Sequence, residues 1–176
     1  LTKFKVDYLG VDFSQGLIDQ AKKNFPNEKF EVQDALDLEL DKKFDVVIST
    51  AVLNHLDKPN HKIFIQNVNK VLKNNGVLMM TNWNLWKLKN KKGMFGKNVK
   101  REQGGVMTRW KSGETKAELF YYAFTKREIK RLLQKNGFKI IKNIYSKQGN
   151  KSNIFIAENI MTIARKVNPA LREARG

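Results

Sequence analysis

Short apolar runs alternate with segments of helical periodicity along most of this chain, and no other feature limits its possible folds as much. The runs have the length and composition of strands, and in the segments between them apolar residues recur every three or four positions. This alternation favours an α/β fold with a mostly parallel sheet flanked by helices. The predicted strands are residues 6–11, 29 to about 34, 46–48, 76–82 and 138–145, with another at either 153–157 or 160–165. The uninterrupted apolar run at 46–48 predicts a strand buried on both faces.

One predicted helix carries start and stop signals at both ends. Thr125 and Glu128 have the spacing of a capping box, and Gly137 follows the last turn. Phe124 and Ile129 have the spacing of a hydrophobic staple, so we expect a helix over 126–136. The other predicted helices run from an N-cap at Ser14 to Pro26, and over residues 59–72, which a turn at Asn74-Asn75-Gly76 follows.

Polar or aromatic groups stand where four of the predicted strands end. They are Asp12, Asp34, residues 49–53, and the pair Asn82 and Trp83. In parallel sheets the carboxyl ends of the strands line the ligand crevice, so we predict a binding site at this edge. For Asp12 the alternative is a purely local role, because an acidic residue before a first helical turn stabilises the helix dipole.

The net positive charge comes entirely from the second half of the chain. Residues 1–83 hold 11 Lys and 11 Asp or Glu and are neutral, whereas residues 84–176 hold 23 Lys or Arg against 6 Glu and carry the whole net charge of +17. This asymmetry predicts a polyanionic partner, RNA above all, docking on residues 84–176. The alternative is a set of solvated lysine faces without a partner. Residues 87–105, rich in lysine and glycine, predict a basic loop.

Composition excludes several kinds of site. The chain has no cysteine, so it can form neither disulfides nor thiolate metal sites. Its two histidines, His55 and His61, are too few for a zinc site, and we interpret His55 as a structural residue of a strand-to-helix turn. No apolar run is long enough to span a bilayer, and we expect a cytoplasmic protein.

Four stretches resemble the class I S-adenosylmethionine-dependent methyltransferases. They are "YLGVDFSQGLIDQAKKNFP", "FEVQDALDL", "FDVVISTAVLNHL" and "NGVLMMTNWN". The resemblance covers nearly the whole chain and implies a Rossmann-like fold with S-adenosylmethionine as cofactor. It implies that Asp12 holds the ribose hydroxyls, with Phe13 beside the adenine. Asp34 would receive the adenine amino group, with Ala35 alongside, and Thr50 would complete the cofactor site.

Later stretches are similar to the methyltransferases that modify wobble-uridine side chains of tRNA. They are "WNLW", "RW" and "FYYAFTKREIKRLLQKNGF". This similarity implies tRNA as substrate, with Trp83, Arg109 and Tyr121 as substrate contacts. The candidates for a catalytic role are Asn82, Tyr122 and Arg109. If the acceptor is a carboxylate, alignment suffices and no general base is needed.

The family's glycine-rich loop after its first strand has no counterpart in this sequence. Its natural place would be upstream of Leu1, so we predict a single domain, residues 1–176, that is truncated at its N-terminus and lacks the first strand. Such a chain would bind the cofactor weakly or not at all. Two alternatives stay open: a methyltransferase for small molecules, and a basic RNA-binding module that has lost cofactor binding.

Overall fold

The computed structural model describes residues 6–87, 101–102, 105–112 and 115–168. The chain forms two compact units, Leu1–Asp41 and Lys42–Gly176. The first unit holds one strand–helix–strand motif, and the second holds two sheets with helices. Whether the two units make one domain, as predicted, stays a prediction.

The first unit is a parallel βαβ motif. It consists of β1 (Leu9–Asp12), α1 (Gln15–Asn24) and β2 (Lys29–Val32). The two strands pair in parallel, with Asp12 opposite Val32. As predicted, Ser14 is the N-cap of α1, where its hydroxyl accepts a hydrogen bond from the Leu17 amide. Both strands are shorter than the sequence predicted.

The second unit begins with alternating strands and helices and continues with antiparallel strands. In chain order its elements are β3 (Phe44–Thr50), a 3-10 turn (Leu53–His55), α2 (Lys58–Val71), β4 (Leu72–Trp83), β5 (Arg101–Glu102), β6 (Gly105–Ser112), β7 (Thr115–Tyr122), α3 (Lys126–Lys135), β8 (Phe138–Lys147), β9 (Asn150–Ser152) and β10 (Asn159–Lys166). The α/β fold class is therefore confirmed, including the predicted helices in residues 59–72 and 126–136.

The main sheet of the second unit has the strand order β3-β4-β10-β8-β9. Its β3–β4 pair is parallel, while β10 runs antiparallel to both β4 and β8. The strands β5, β6 and β7 form a separate antiparallel sheet. The sheet arrangement is therefore mixed, with parallel and antiparallel neighbours.

Burial of β3 differs from the prediction. Val46 is 47% and Ile48 63% exposed, so the strand is not buried on both faces. In β4, Leu78 and Met80 are buried whereas Met79 is 40% exposed. Such alternation is typical of a sheet with one face buried in the core. The continuous apolar run therefore marks one buried face and one apolar face that is open to solvent.

The last strand is the second of the two predicted alternatives. Residues 160–165 lie in β10, whereas 153–157 form a turn. The Asn153 side chain makes this turn, since its Oδ1 accepts hydrogen bonds from the amides of Phe155 and Ile156. Asparagine commonly competes with strand pairing in this way.

The predicted basic loop at 87–105 falls largely outside the described residues. Of its residues, Arg101 and Glu102 form β5 and Gly105 begins β6, so its C-terminal part is strand and not loop. The hairpin of β6 and β7 was not predicted at all. At Gly105 an added Cβ would lie 2.3 Å from the Phe120 ring, so only glycine allows this close approach of the strands.

The start of α3 has the capping box that the sequence predicted. The Thr125 hydroxyl accepts a hydrogen bond from the Glu128 amide, and the Glu128 carboxylate accepts one from the Thr125 amide at 2.7 Å. Glu128 also accepts a hydrogen bond from the Tyr122 hydroxyl at 3.3 Å. One carboxylate therefore connects the end of β7 to the first turn of α3.

The described residues contain neither a membrane-spanning helix nor a metal-binding cluster. None of the helices there combines the length and the apolar character that crossing a membrane requires. The same residues contain no cluster of three or more His, Cys, Asp or Glu side chains suited to a metal ion.

Loss of the cap should destabilise the second unit measurably. Thr125→Ala removes the hydroxyl that caps α3, and we expect the free energy of unfolding to fall by about 1 kcal/mol. Urea unfolding followed by tryptophan fluorescence measures it, since all three tryptophans lie in this unit. Thr125→Ser keeps the hydroxyl and is the matched control. An equal loss in both variants would contradict a capping role.

Candidate functional site

The two predicted cofactor aspartates of the first unit lie at the same end of a parallel strand pair. Asp12 is the last residue of β1, and Asp34 lies two residues beyond β2. The pairing continues past the strands, because the Gln33 amide donates to the Asp12 carbonyl oxygen at 3.0 Å. The neighbouring strands therefore bring both acids to one edge, as the strand-end argument predicted.

Each of these carboxylates uses one oxygen to shape its own turn. Oδ1 of Asp12 accepts a hydrogen bond from the Ser14 amide, and Oδ1 of Asp34 accepts one from the Leu36 amide, both at 2.8 Å. In the part of the chain that the structure describes, neither Oδ2 has a recorded hydrogen bond. The turns fix the direction of each carboxylate and leave one oxygen for a ligand, so the local role and the binding role are compatible.

The residues that follow each aspartate match the needs of a nucleoside. Phe13 is 79% exposed, which is unusual for a phenylalanine and leaves a ring face open for stacking. Ala35 is half-buried and adds no bulk next to Asp34. The first unit therefore presents two acceptor oxygens and one aromatic face, which suits a ribose diol, an amino group and a purine.

In the second unit, the chain after β3 takes a strained path. Ala51 has a φ of 58°, in the left-handed region that residues with a Cβ rarely occupy, and its amide donates to the Thr81 carbonyl oxygen. Thr50 just before it is exposed. Strain of this kind costs about 1–3 kcal/mol and concentrates at functional sites. The carboxyl end of β3 thus has the character expected of a binding edge.

A buried amide that the sequence analysis missed connects this edge to the hairpin. Asn54 is fully buried in the turn after β3. Its Oδ1 accepts a hydrogen bond from the Trp83 amide at 2.9 Å, and its Nδ2 donates to the Tyr122 carbonyl oxygen at 3.0 Å. These contacts bridge 29 and 68 positions of sequence, so no local pattern could have shown them.

Three aromatic rings come together around this amide. The ring centroids of His55 and Trp83 are 5.5 Å apart, those of His55 and Tyr121 4.9 Å, and those of Trp83 and Tyr121 5.4 Å. Trp83 is 39% exposed, His55 is exposed and Tyr121 is half-buried. Burial raises the pKa of the Tyr121 hydroxyl, which keeps it neutral at physiological pH. We call His55, Trp83 and Tyr121 the aromatic platform.

The two predicted substrate residues Trp83 and Tyr121 are thus in contact, and His55 joins them. The interpretation of His55 as a structural residue of a turn is right about its place, since it ends the 3-10 turn. That interpretation did not include the exposure of His55 to solvent. The third predicted substrate residue, Arg109, lies in β6 opposite Glu118, and its side chain falls outside the described residues.

The two other candidates for a catalytic role are buried. Tyr122 is 8% exposed, and burial together with the nearby Glu128 carboxylate raises the pKa of its hydroxyl. Asn82 is fully buried, and both polar atoms of its side chain lack a hydrogen-bond partner among the described residues. Neither side chain is at the surface in this structure, and their catalytic role stays a prediction.

A cavity of about 330 Å³ opens beside the aromatic platform. Its walls are Trp83, Asn84, Leu85, Lys87, Glu158 and Asn159. Asn84 makes this wall rigid, because its side chain donates hydrogen bonds to the carbonyl oxygens of Ile154 and Ala157 at 2.7 and 2.9 Å. The Trp83 ring therefore borders both the platform and the cavity.

Comparison with known proteins gives one family match. A family model described as "Methyltransferase domain" matches residues 1–137. Among proteins of curated function, none matches the sequence.

Solved structures with the same fold include three methyltransferases. An S-adenosylmethionine-dependent enzyme from Clostridium acetobutylicum has a TM-score of 0.75 at 19% identity, covering 95% of this chain and 77% of its own. One from Methanosarcina mazei has a TM-score of 0.69 at 25% identity, covering 90% and 81%. The amino pentose methyltransferase CalS10 from Micromonospora echinaspora, solved with S-adenosylmethionine bound, has a TM-score of 0.61 at 16% identity, covering 90% and 73%. The predicted fold is therefore confirmed. The predicted cofactor is the molecule named for all three structures, and none of the three descriptions names an RNA.

Loss of the Asn54 amide should destabilise the second unit strongly. Asn54→Leu keeps the number and branching of the side-chain heavy atoms but leaves the Trp83 amide and the Tyr122 carbonyl oxygen without their partner. We expect the free energy of unfolding to fall by about 2–4 kcal/mol in urea titrations. The control is Gln66→Leu, at an exposed position of α2, where a change below about 0.5 kcal/mol is expected. A similar small change at Asn54 would show that the bridge is dispensable.

Proposed function

Because this chain belongs to the family of methyltransferase domains, we propose that it transfers a methyl group from S-adenosylmethionine to a wobble-uridine side chain of tRNA. The family confirms the predicted enzyme class. Family membership alone does not identify the residues that bind the cofactor or the molecule that accepts the methyl group. The acids at the end of the β1–β2 pair support the proposed cofactor site. The charge of the second unit supports tRNA as the acceptor.

The acid pair of the first unit fits the nucleoside part of the cofactor. Asp12 would accept hydrogen bonds from the ribose hydroxyls through the oxygen that its turn leaves unused, and Asp34 would accept one from the adenine amino group. Phe13 offers its exposed ring to the purine.

Methyl transfer to a carboxylate acceptor requires little from the protein side chains beyond alignment of the reactants. When bound, S-adenosylmethionine supplies a methyl group on a positively charged sulfur that is ready for displacement. An acceptor carboxylate needs no proton removed, so the protein has only to orient it and exclude competing nucleophiles.

The single observation that carries the tRNA substrate is the charge of the C-terminal elements. Residues 123–168 contain 11 Lys or Arg and two Glu. One of these two, Glu128, is occupied by the α3 cap and by Tyr122. The outward surface of these elements is therefore almost purely positive, which favours a polyanion over a neutral metabolite.

Helix α3 concentrates this charge on one face. Arg127, Lys130 and Arg131 are exposed and follow the i, i+3, i+4 spacing of neighbours on a helix surface, while Ile129 and Leu133 are buried on the other side. Contacts of this kind bind phosphates without reading sequence, and they would position the RNA.

A small-molecule acceptor is the second candidate. One neighbour acts on an amino pentose, and the cavity of about 330 Å³ beside Trp83 lies within the size range of metabolite pockets. The positive surface would then have no part in catalysis.

Removal of one acid should weaken cofactor binding. With Asp12→Ala we expect at least about tenfold weaker binding of S-adenosylmethionine, or roughly 1.4 kcal/mol, measured by calorimetry. Asp19→Ala, on the exposed side of α1, is the control and should bind like the unaltered protein. Equal affinity of both variants would refute the role of Asp12, and a protein that binds no cofactor at all would favour the non-catalytic RNA-binding alternative.

Charge reversal on α3 should weaken tRNA binding. The triple variant Arg127→Glu, Lys130→Glu and Arg131→Glu places negative charge against the RNA phosphates, and we expect about tenfold weaker binding at moderate salt. The slope of log affinity against log salt concentration should fall by about three, one for each phosphate contact. Filter binding across a salt series measures both.

The matched control reverses three lysines on other helices. Lys22, Lys23 and Lys62 are exposed on α1 and α2, so changing them to Glu alters the net charge by the same amount. If both triple variants lose affinity equally, only net charge matters and α3 is not the docking face. If neither loses affinity, the small-molecule candidate gains.

A further inference from the structure

We propose that the aromatic platform of His55, Trp83 and Tyr121 stacks against the planar ring of the methyl acceptor, a uracil-type base. This inference deepens the proposed function and rests on it for the identity of the ring. The observation behind it is that three aromatic side chains from three separate elements meet at one exposed place. They come from the turn after β3, the end of β4 and the end of β7.

The second unit contains another aromatic cluster that shows what core packing looks like here. His61, Tyr122 and Phe124 also have centroids 4.5–4.7 Å apart, and they are 5%, 8% and 2% exposed. Burial lowers the pKa of His61, whose Nε2 lies 2.9 Å from the Leu56 carbonyl oxygen. The cluster of His61, Tyr122 and Phe124 therefore belongs to the core of the second unit. The rings of the platform lie slightly farther apart, at 4.9–5.5 Å, and two of its three members are exposed, so the platform differs from this core packing.

The geometry of the platform suits a flat ligand and not a compact cation. The three rings already touch each other, with centroid distances of 4.9–5.5 Å, and leave no space between them for an ammonium group. Trp83 and Tyr121 are inclined by only 32° at a centroid distance of 5.4 Å, which is an offset stack that a flat ring laid on the exposed Trp83 would extend. A ring laid on such a surface gains by offset stacking.

The platform is also held in place before any ligand arrives. Asn54 bonds to the main chain of Trp83 and of Tyr122, which are a platform residue and the neighbour of one, and Asn54 itself precedes His55. Trp86 adds a second tie, because its Nε1 donates to the Ala123 carbonyl oxygen at 3.1 Å. A surface fixed in this way loses little conformational freedom on binding.

The cavity beside Trp83 gives the substituents of a stacked base somewhere to go. Lys87 and Asn159 in its wall can donate to a phosphate or carboxylate, while Glu158 in the same wall opposes an anion placed next to it. A ring on the platform with a substituent directed toward Lys87 is therefore the arrangement that these charges favour.

The experiment compares ligands that differ only in the ring. Uridine 5′-monophosphate has a planar ring, 5,6-dihydrouridine 5′-monophosphate has a puckered one, and ribose 5-phosphate has none. Binding is followed by tryptophan fluorescence and by ligand-observed NMR with the complete chain. Since one stacked base contributes about fivefold or more to affinity, the planar ligand should bind at least about fivefold tighter than the puckered one.

Variants localise the preference. Trp83→Leu and His55→Leu should remove the difference between the two nucleotides, whereas Phe25→Leu, at an exposed ring of the first unit, should keep it. Circular dichroism checks that each variant is folded. If Trp83→Leu does not fold, the comparison of ligands on the unaltered chain and on His55→Leu still decides.

The outcomes separate this inference from the proposed function. Equal binding of the planar and puckered nucleotides overturns the platform, even if tRNA is methylated. A preference for the planar ring that disappears in the platform variants supports it, even if tRNA methylation fails. A preference that survives both variants overturns it, because the ring then binds elsewhere.

Discussion

A single buried amide, that of Asn54, holds the binding edge of the second unit together. It meets the main chain at the end of β4 and at the end of β7, which belong to different sheets. An amide in this position is favourable only while its partners are in place, because a buried polar group without partners is costly. The exposed rings around it therefore have a defined geometry although they lie at the surface.

The candidate residues of the two units are oriented by different kinds of contact. In the first unit every contact that orients the acids is local, since Asp12 and Asp34 each bind an amide two residues further on. In the second unit the contacts that orient the rings are long-range. Cofactor binding would thus depend on short segments that fold as one motif, whereas acceptor binding would depend on the assembled unit.

The same division explains what the sequence could predict. Short-range rules located the acids at the strand ends, the Ser14 cap and the capping box of α3, because each depends on residues a few positions apart. They missed Asn54, the exposure of His55 and the β6–β7 hairpin, which depend on contacts across many positions. The apolar run at 46–48 misled for a related reason, since apolar composition does not tell whether a second layer covers the face that carries Val46 and Ile48. Residues 153–157 form a turn and not a strand because the side chains of Asn153 and Asn84 bind their main chain.

Glu128 links the β6–β7 hairpin to α3 through hydrogen bonds. Its carboxylate accepts from the Thr125 amide and the Tyr122 hydroxyl together, so the base of the positively charged helix and the residue next to the platform share one anion. A ligand that pulled Tyr121 outward would stretch the Tyr122 contact and disturb the first turn of α3. Substitutions in β7 that change the acceptor preference would therefore also change the packing of α3. Acceptor preference and helix packing should be optimised together.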